Sequence, residues 1–180
     1  YNGGDVTLNK RLSNRWMMTG GLSVGKNEGY VGNADLNNPN SKAYSRGIEG
    51  DDVPYSFRMS GLYELPYGIS LSGSFQHQKG FPELTTVSVG NNTVALTQGT
   101  TAVTVAPRAT TRYPNLNQLD ISLRKAFRLG GKVFQPRLDL YNLTNEANIR
   151  TWVTQMGPTY HRPSAIQRGT LITAGMHVDF

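Results

Sequence analysis

The chain has 180 residues, a formal net charge of +6, 20 glycines and no cysteine, which excludes a disulfide framework and a thiolate metal site. It contains no run of about 18 apolar residues, so a transmembrane helix is excluded, whereas a transmembrane β-barrel is not, because barrel strands are apolar on one face only. The Lys and Arg residues are scattered without a basic run or a nucleic-acid motif, and the positive charge therefore does not predict nucleic-acid binding.

Short runs of alternating polar and apolar residues, separated by turn formers, predict about seven β-strands. The fourth run shows the clearest alternation, with Ile69, Leu71 and Phe75 on one face and serines and glutamines on the other. This pattern predicts an all-β antiparallel fold whose strands separate two different environments. The predicted strands cover roughly 4–12, 16–26, 53–65, 69–79, 115–127, 133–143 and 169–180.

The connections between the predicted strands alternate between short and long. Short turns are expected at 13–15, 66–68 and 128–132, and long loops at 27–52, 80–114 and 144–168. The loop 80–114 contains alternating valines and is expected to hold its own hairpin. Tight turns at one end, long loops at the other and strands of about 10 residues are typical of a barrel that crosses an outer membrane.

Aromatic residues fall near the short-turn ends of the predicted strands, where they would form the interfacial girdle of such a barrel. They are Trp16, Tyr63, Tyr67, Phe127, Phe134 and Phe180.

The odd number of predicted strands has a topological consequence. The first and last strands would run in the same direction, whereas single-chain bacterial barrels are antiparallel and even-stranded. The seven strands are therefore not expected to close alone. We expect residues 1–180 to be the C-terminal part of one barrel domain, with earlier strands preceding Tyr1.

The final strand alternates to the end of the chain and stops on Phe180. A polar residue, a glycine two positions later, and hydrophobic residues five and seven positions later resemble the terminal assembly signal of bacterial outer-membrane barrels. Thr173, Gly175, Val178 and Phe180 occupy these positions.

Several segments between about 113 and 180 resemble TonB-dependent receptors. Residues 119–127 (LDISLRKAF), the turn at Gly130 and Gly131, and residues 136–145 (PRLDLYNLTN) are similar to the penultimate hairpin of that family, and 162–169 (RPSAIQRG) are similar to the approach to its last strand. The subtype that this chain most resembles is the Oar-like group, whose members carry an N-terminal carboxypeptidase-regulatory-like domain. The segment 142–145 departs slightly, because an aromatic residue often stands at its third position.

The resemblance implies a barrel of about 22 strands with an N-terminal plug that is absent from this chain. It implies uptake of a scarce, bulky ligand through the outer membrane of a Gram-negative bacterium, energised by TonB. The implied partners are outer-membrane lipid, the plug and remaining strands, the barrel-assembly machinery, TonB and an unknown extracellular ligand. No cofactor and no nucleic acid is expected.

Two sets of side chains are candidates for binding, and each has two interpretations. The charged residues on the polar strand faces either pair with one another or dock the plug through charge-assisted hydrogen bonds. The aromatic residues of the long loops either contact the ligand or pack the loops together. The first set is Arg58, Glu64, Asp120, Arg124, Arg137 and Asp139. The second set is Tyr30, Tyr44, Phe81, Trp152 and Tyr160.

Other functions are less well supported by the residues. The segment 20–27 nearly matches a P-loop, but Asn27 replaces the Ser or Thr that would hold Mg²⁺, and strand alternation continues through it. His77, His161 and His177 match no metal-site spacing.

A structural or adhesive barrel without transport is the alternative function. An outer-membrane hydrolase lacks any recognisable Ser-His-Asp sequence context, and no enzyme activity is expected.

Overall fold

The computed structural model describes residues 1–30, 46–97 and 99–179, and every regular element longer than one turn in this part is a β-strand. A three-residue 3₁₀ turn, Pro66–Gly68, is the exception. No helix in these three ranges is long and apolar enough to cross a membrane. The strands are β1 (Asn2–Ser13), β2 (Trp16–Lys26), β3 (Glu28–Tyr30), β4 (Arg46–Ile48), β5 (Tyr55–Leu65), β6 (Ile69–Gln78), β7 (Thr86–Val89), β8 (Thr101–Thr104), β9 (Leu116–Lys125), β10 (Phe127–Leu129), β11 (Lys132–Tyr141), β12 (Ile149–Trp152), β13 (Pro163–Ile166) and β14 (Leu171–Asp179).

The main sheet joins the long strands in chain order, β1-β2-β5-β6-β9-β11-β14, and each is antiparallel to the next. β10 continues β9 beyond Ala126, whose N–H donates to the carbonyl of Gly68 in the neighbouring turn at 2.8 Å. The prediction of an all-β antiparallel fold is confirmed, and the long strands overlap the predicted segments. β1 and β14 each pair on one side only within the described residues, so the sheet is open.

Each long loop contains a small hairpin. The predicted hairpin in the loop 80–114 is confirmed as β7–β8. The hairpins β3–β4 and β12–β13 were not predicted, because their strands are only three or four residues long and show too little alternation.

The register of the main sheet aligns apolar residues on one face and polar residues on the other. Cross-strand partners share a face, so the alternation of each strand extends across the whole sheet. One apolar row contains Trp16, Tyr63, Leu71, Leu123, Leu138 and Ala174. A row on the opposite face contains Ser72, Ser122, Asp139 and Thr173.

The apolar face of the main sheet is exposed. Leu8 is 62% exposed, Ile172 is 60% exposed and Met176 is 64% exposed. None of the described Ala, Val, Leu, Ile, Met, Phe, Tyr or Trp residues is buried. The backbone hydrogen bonds of the sheet therefore hold this fold without an apolar core inside the described part of the chain.

The short connections are tight turns whose residues adopt left-handed backbone conformations. Asn14 and Arg15 have φ values of 52° and 69°, and Gly130 and Gly131 have φ values of 57° and 79°. Two consecutive positive φ values are the requirement of the type I′ turns that match the twist of two-residue hairpins.

Aromatic side chains collect at this short-turn end, as the sequence predicted. Trp16 pairs with Tyr63 across β2 and β5, and Phe127 pairs with Phe134 with ring centroids 6.5 Å apart. Tyr67 lies in the 3₁₀ turn and is 89% exposed.

Candidate functional site

Three long connections leave the main sheet at the end opposite the short turns. We call them loop A (27–54), loop B (79–115) and loop C (142–170). Four of the five buried polar or charged side chains in the described ranges belong to these loops, and they are Asp52, Glu83, Asn142 and Asn148. Hydrogen bonds to buried polar groups therefore help to order this end of the molecule.

Glu83 belongs to loop B and is 1% exposed. Its carboxylate accepts hydrogen bonds from Trp152 Nε1 at 3.0 Å, Tyr160 OH at 3.2 Å and Thr85 Oγ1 at 3.0 Å. His161 Nε2 lies 3.1 Å from Oε2 and forms an ion pair when the imidazole is protonated. Because three of these four partners belong to loop C, the carboxylate joins loops B and C. We call this group the Glu83 cluster.

The rings of the Glu83 cluster contact one another, stacked for Tyr160 and His161 and tilted for the other pairs. The His161 ring lies 3.9 Å from the Tyr160 ring and 4.5 Å from the Trp152 ring, measured between centroids. Tyr113 of loop B completes this group of rings, tilted against Trp152 with centroids 5.1 Å apart. Burial raises the pKa of Tyr113 above its ordinary value of 10.0, and the negative charge of Glu83 raises it further, while a hydrogen bond with the Trp152 backbone partly opposes both effects.

Backbone hydrogen bonds reinforce the contact between loops B and C. The Thr86 N–H donates to Thr154 O at 3.2 Å, and the Met156 N–H donates to Thr86 O at 2.7 Å. These bonds add a short parallel bridge between Thr86 and Gln155. The two loops therefore form one hydrogen-bonded unit.

Loop A is attached to this unit through a buried ion pair. Arg112 of loop B binds Asp52 of loop A with Nη2 on Oδ2, and its Nη1 donates to the carbonyls of Asp52 at 3.1 Å and Gly80 at 3.2 Å. The Asn27 N–H donates to Asp52 Oδ1 at 2.7 Å. Asp52 is 1% exposed, and the satisfied donors and acceptors around it offset part of the cost of removing this charge from water.

Asn142 begins loop C and fixes its path. Its backbone has a φ of 50°, a left-handed conformation that Asn tolerates better than most residues. Its Nδ2 donates to Glu146 O at 3.0 Å and to Arg168 O at 2.8 Å, and its Oδ1 accepts from the Glu146 N–H at 3.1 Å. One side chain thus connects the start of loop C to its end. Within the segment 142–145, Asn142 therefore has a structural role in closing loop C.

A second asparagine continues the same network. Asn148 Nδ2 donates to Asn117 O at 2.8 Å and to Gln167 Oε1 at 2.9 Å. Asn117 Nδ2 donates to Glu146 Oε2 at 2.9 Å, and its Oδ1 contacts His77 Nδ1. Loop C is therefore anchored to the start of β9, and Asn117 extends this network to His77 of β6.

The structure brings together only some of the six charged residues predicted on the polar face. Arg137 and Asp139 form an ion pair at 3.4 Å, and Asp139 also accepts from Ser122 Oγ at 2.6 Å. Asp120 accepts from the Asn142 N–H at 2.8 Å and from Gln118 Nε2 at 2.9 Å.

The other three residues, Arg58, Glu64 and Arg124, are exposed and form no ion pair within the described part of the chain. A full ladder of mutual pairs is therefore not present on this face. Docking of a plug by these residues stays a prediction.

The predicted loop aromatics separate into three groups. Trp152 and Tyr160 lie half-buried in the Glu83 cluster, where they pack the loops. Tyr30 at the end of β3 is 80% exposed, and Phe81 is 42% exposed. Tyr44 lies outside the described residues. Contact with a ligand stays a prediction for all five.

Three of the four residues of the predicted assembly signal lie in the terminal strand β14. Thr173 Oγ1 donates to Asp139 Oδ2 at 3.3 Å, and Val178 pairs with Phe134 across β11. Gly175 faces Arg137, and a Cβ at this position would lie 3.2 Å from Arg137 Nε, a close contact that the arginine side chain would have to relieve. Phe180 lies outside the described residues.

The three histidines have separate environments. His77 stacks on Tyr55 with centroids 5.5 Å apart, His161 belongs to the Glu83 cluster, and the exposed His177 contacts Asp179 at 2.8 Å. No group of three or more His, Asp or Glu side chains in the described ranges is placed to hold a metal ion. The segment resembling a P-loop lies mainly in β2, as the strand alternation predicted.

Sequence reasoning missed the importance of Glu83, Asp52 and Asn148. The loop C partners of Glu83 lie 69 to 78 residues away, and Arg112 lies 60 residues from Asp52, and no local pattern signals such contacts. No family model, curated protein or solved structure matches the chain, so comparison with known proteins does not assign it to a family.

Proposed function

We propose that this chain forms part of the wall and outer loops of a TonB-dependent outer-membrane receptor, which takes up a scarce, bulky ligand. The observation that carries this proposal is the exposed apolar face of the main sheet, which faces away from a polar one across all seven long strands. Exposed apolar area costs about 25 cal/mol per Å² in water, and lipid removes that cost. Contiguous apolar surface of this kind marks a contact with membrane or protein.

The two ends of the sheet support the same orientation in a membrane. The short turns and paired aromatic residues would lie at the periplasmic surface, as in other outer-membrane barrels. Each of the seven long strands contains 9 to 12 residues. A tilted strand needs about 9–11 residues to cross a bilayer. Loops A, B and C would then face the exterior.

The open edges of β1 and β14 support a larger barrel. Seven successive antiparallel strands leave these two edge strands running in the same direction. An antiparallel barrel therefore requires further strands between them, and about 22 strands are present in the plugged barrels that the sequence resembles. TonB dependence and the plug rest on that resemblance alone.

The alternative is a structural or adhesive barrel that presents its loops to partners without transport. The hydrogen-bonded unit of loops B and C is compatible with both functions, because a fixed surface suits adhesion as well as it suits ligand capture. A strain without a working TonB system separates the two functions. Transport predicts the same phenotype as deletion of the gene, whereas adhesion predicts that only the gene deletion has a phenotype.

The membrane assignment is tested by blotting washed outer membranes with an antibody against residues 163–179. We expect one band in the outer-membrane fraction, well above the 19.8 kDa mass of this chain. A band in the soluble fraction would contradict the membrane assignment. A band near 19.8 kDa in the outer membrane would contradict the larger barrel.

A further inference from the structure

A cavity of about 620 Å³ lies under loop C at the loop end of the polar face. Its floor includes Gln118 and Tyr141, which lie on the polar face of β9 and β11. Arg150 of β12 and Arg168 at the end of loop C complete its polar lining together with Gln167 and Thr170. A pocket of this size with a few convergent polar groups is typical of a small-molecule site.

The network around Asn142 and Asn148 holds the wall of this cavity in place. Asn142 Nδ2 binds the carbonyl of Arg168 at 2.8 Å, and the Gln167 N–H donates to the carbonyl of Asn148 at 2.8 Å. Thr170 Oγ1 donates to Asn142 O at 2.8 Å. Since the segment 167–170 is held at these three points, the side chains of Gln167 and Arg168 start from defined positions at the cavity.

The charge of the cavity is positive and is not neutralised by its neighbours. Neither Arg150 nor Arg168 forms an ion pair with any carboxylate in the described ranges. Two acidic groups of the network, Asp120 and Glu146, accept hydrogen bonds from neutral donors, Asp120 from Gln118 and Glu146 from Asn117. The lining of the cavity therefore contains two arginines beside the amide groups of Gln118 and Gln167.

We propose that this cavity binds the anionic part of the imported or recognised ligand, through carboxylate or phosphate groups. Guanidinium groups bind both kinds of anion with paired N–H donors, and the adjacent amides can complete the hydrogen bonding. This inference rests on the proposed function only in placing the cavity inside a barrel, below its outer loops. It assigns the ligand class that the resemblance left open.

The test uses the full-length protein purified in detergent and two probes, citrate for carboxylates and tripolyphosphate for phosphates. Isothermal titration calorimetry should detect binding of at least one probe to the wild type. The double variant R150Q/R168Q should bind that probe at least about tenfold more weakly, because each arginine contributes charge-assisted hydrogen bonds. The probe that binds identifies the anionic group.

Arg162 provides the matched control, since it is an exposed arginine of loop C that does not line the cavity. R162Q should retain wild-type affinity, and R150K/R168K, which keeps the charge, should bind with intermediate affinity. An absence of binding to the wild type, an unchanged affinity of R150Q/R168Q, or an equal loss in R162Q would each overturn the proposal. Location of the protein in the outer membrane is measured separately, so failure here leaves the membrane assignment untouched.

Discussion

The indole Nε1 of Trp152 donates a hydrogen bond of 3.0 Å to the carboxylate of Glu83, although 69 positions separate the two residues in the chain. This bond crosses from loop C to loop B at a site where Glu83 is almost completely buried. This hydrogen bond joins loops B and C directly. The surface that any ligand or partner meets is therefore set by polar contacts between loops.

Replacing Glu83 with Gln should loosen loops B and C together. The amide supplies one acceptor oxygen where the carboxylate supplies two, and its NH₂ group would face donors. Hydrogen bonds to a charged group contribute about 1.5–3 kcal/mol each, so a local loss of about 2 kcal/mol is expected. Amide hydrogen exchange of the full-length protein should become more than about tenfold faster in both loops.

Glu28 supplies the control for that substitution. Its ion pair with Lys26 is exposed, and such pairs contribute less than about 1 kcal/mol. Glu28→Gln should therefore leave exchange in loops B and C unchanged. Faster exchange in loop C alone after Glu83→Gln would show that the carboxylate does not join the loops.

Asn142 combines a left-handed backbone with three side-chain hydrogen bonds, and two substitutions separate these effects. Asn142→Ala should destabilise the closure of loop C by about 2–4 kcal/mol, because it loses the bonds and strains the backbone. Asn142→Gly loses the same bonds but relieves the strain, so it should recover about 1 kcal/mol. Hydrogen exchange across 146–170 measures both, and equal effects would contradict a role for the backbone conformation.

Arg15 occupies a position of the β1–β2 turn that favours glycine, with a φ of 69°. Arg15→Gly should stabilise the hairpin by about 0.5–1 kcal/mol, because type I′ turns prefer Asn-Gly. Gly131→Ala, at a φ of 79° in the equivalent turn, should have the opposite effect. Denaturant unfolding of the full-length protein in detergent measures both shifts, and a destabilised Arg15→Gly variant would contradict the turn assignment.

Tyr113 should make the Glu83 cluster sensitive to alkaline pH. Because its pKa is higher in the folded state than the ordinary value of 10.0, its contribution to stability is fully present below about pH 10. That contribution is lost as the pH rises through the folded-state pKa, since ionisation would place a second negative charge beside Glu83. Trp152 fluorescence, recorded in a Trp16→Phe background, should change as the pH rises above 10.

Tyr113→Phe removes the ionisable group and keeps the ring stack. The fluorescence change assigned to this tyrosine should disappear in the variant. A transition that persists unchanged in Tyr113→Phe would assign the pH sensitivity to another group.

Much of the sheet was predictable because its information is local. Alternation in 69–78 and in 171–179 gives both the strand and its face, and Gly130 and Gly131 give a turn by their conformational freedom. The long loops are then the remaining segments between the predicted strands. These signals need no knowledge of which residues meet across the fold.

The loop layer was not predictable in the same way. Glu83 stands in an irregular segment where nothing in the local sequence distinguishes a buried carboxylate from an exposed one, and its burial depends on Trp152 and His161 arriving from loop C. Asn142 gave a partial signal, since an asparagine after a strand suits a left-handed turn. Its bond to the backbone of Arg168 required the three-dimensional fold.

The central claim is that the two faces of the sheet meet lipid and a barrel interior, and neighbouring residues Leu71 and Ser72 test it directly. The chain has no cysteine, so Leu71→Cys and Ser72→Cys can each carry a single spin label in the full-length protein in outer membranes, provided the rest of the protein lacks accessible cysteines. The account predicts high collision with lipid-soluble oxygen at position 71 and low collision at position 72. Equal oxygen accessibility at both positions, or predominant contact of position 71 with a water-soluble nickel complex, would contradict the account.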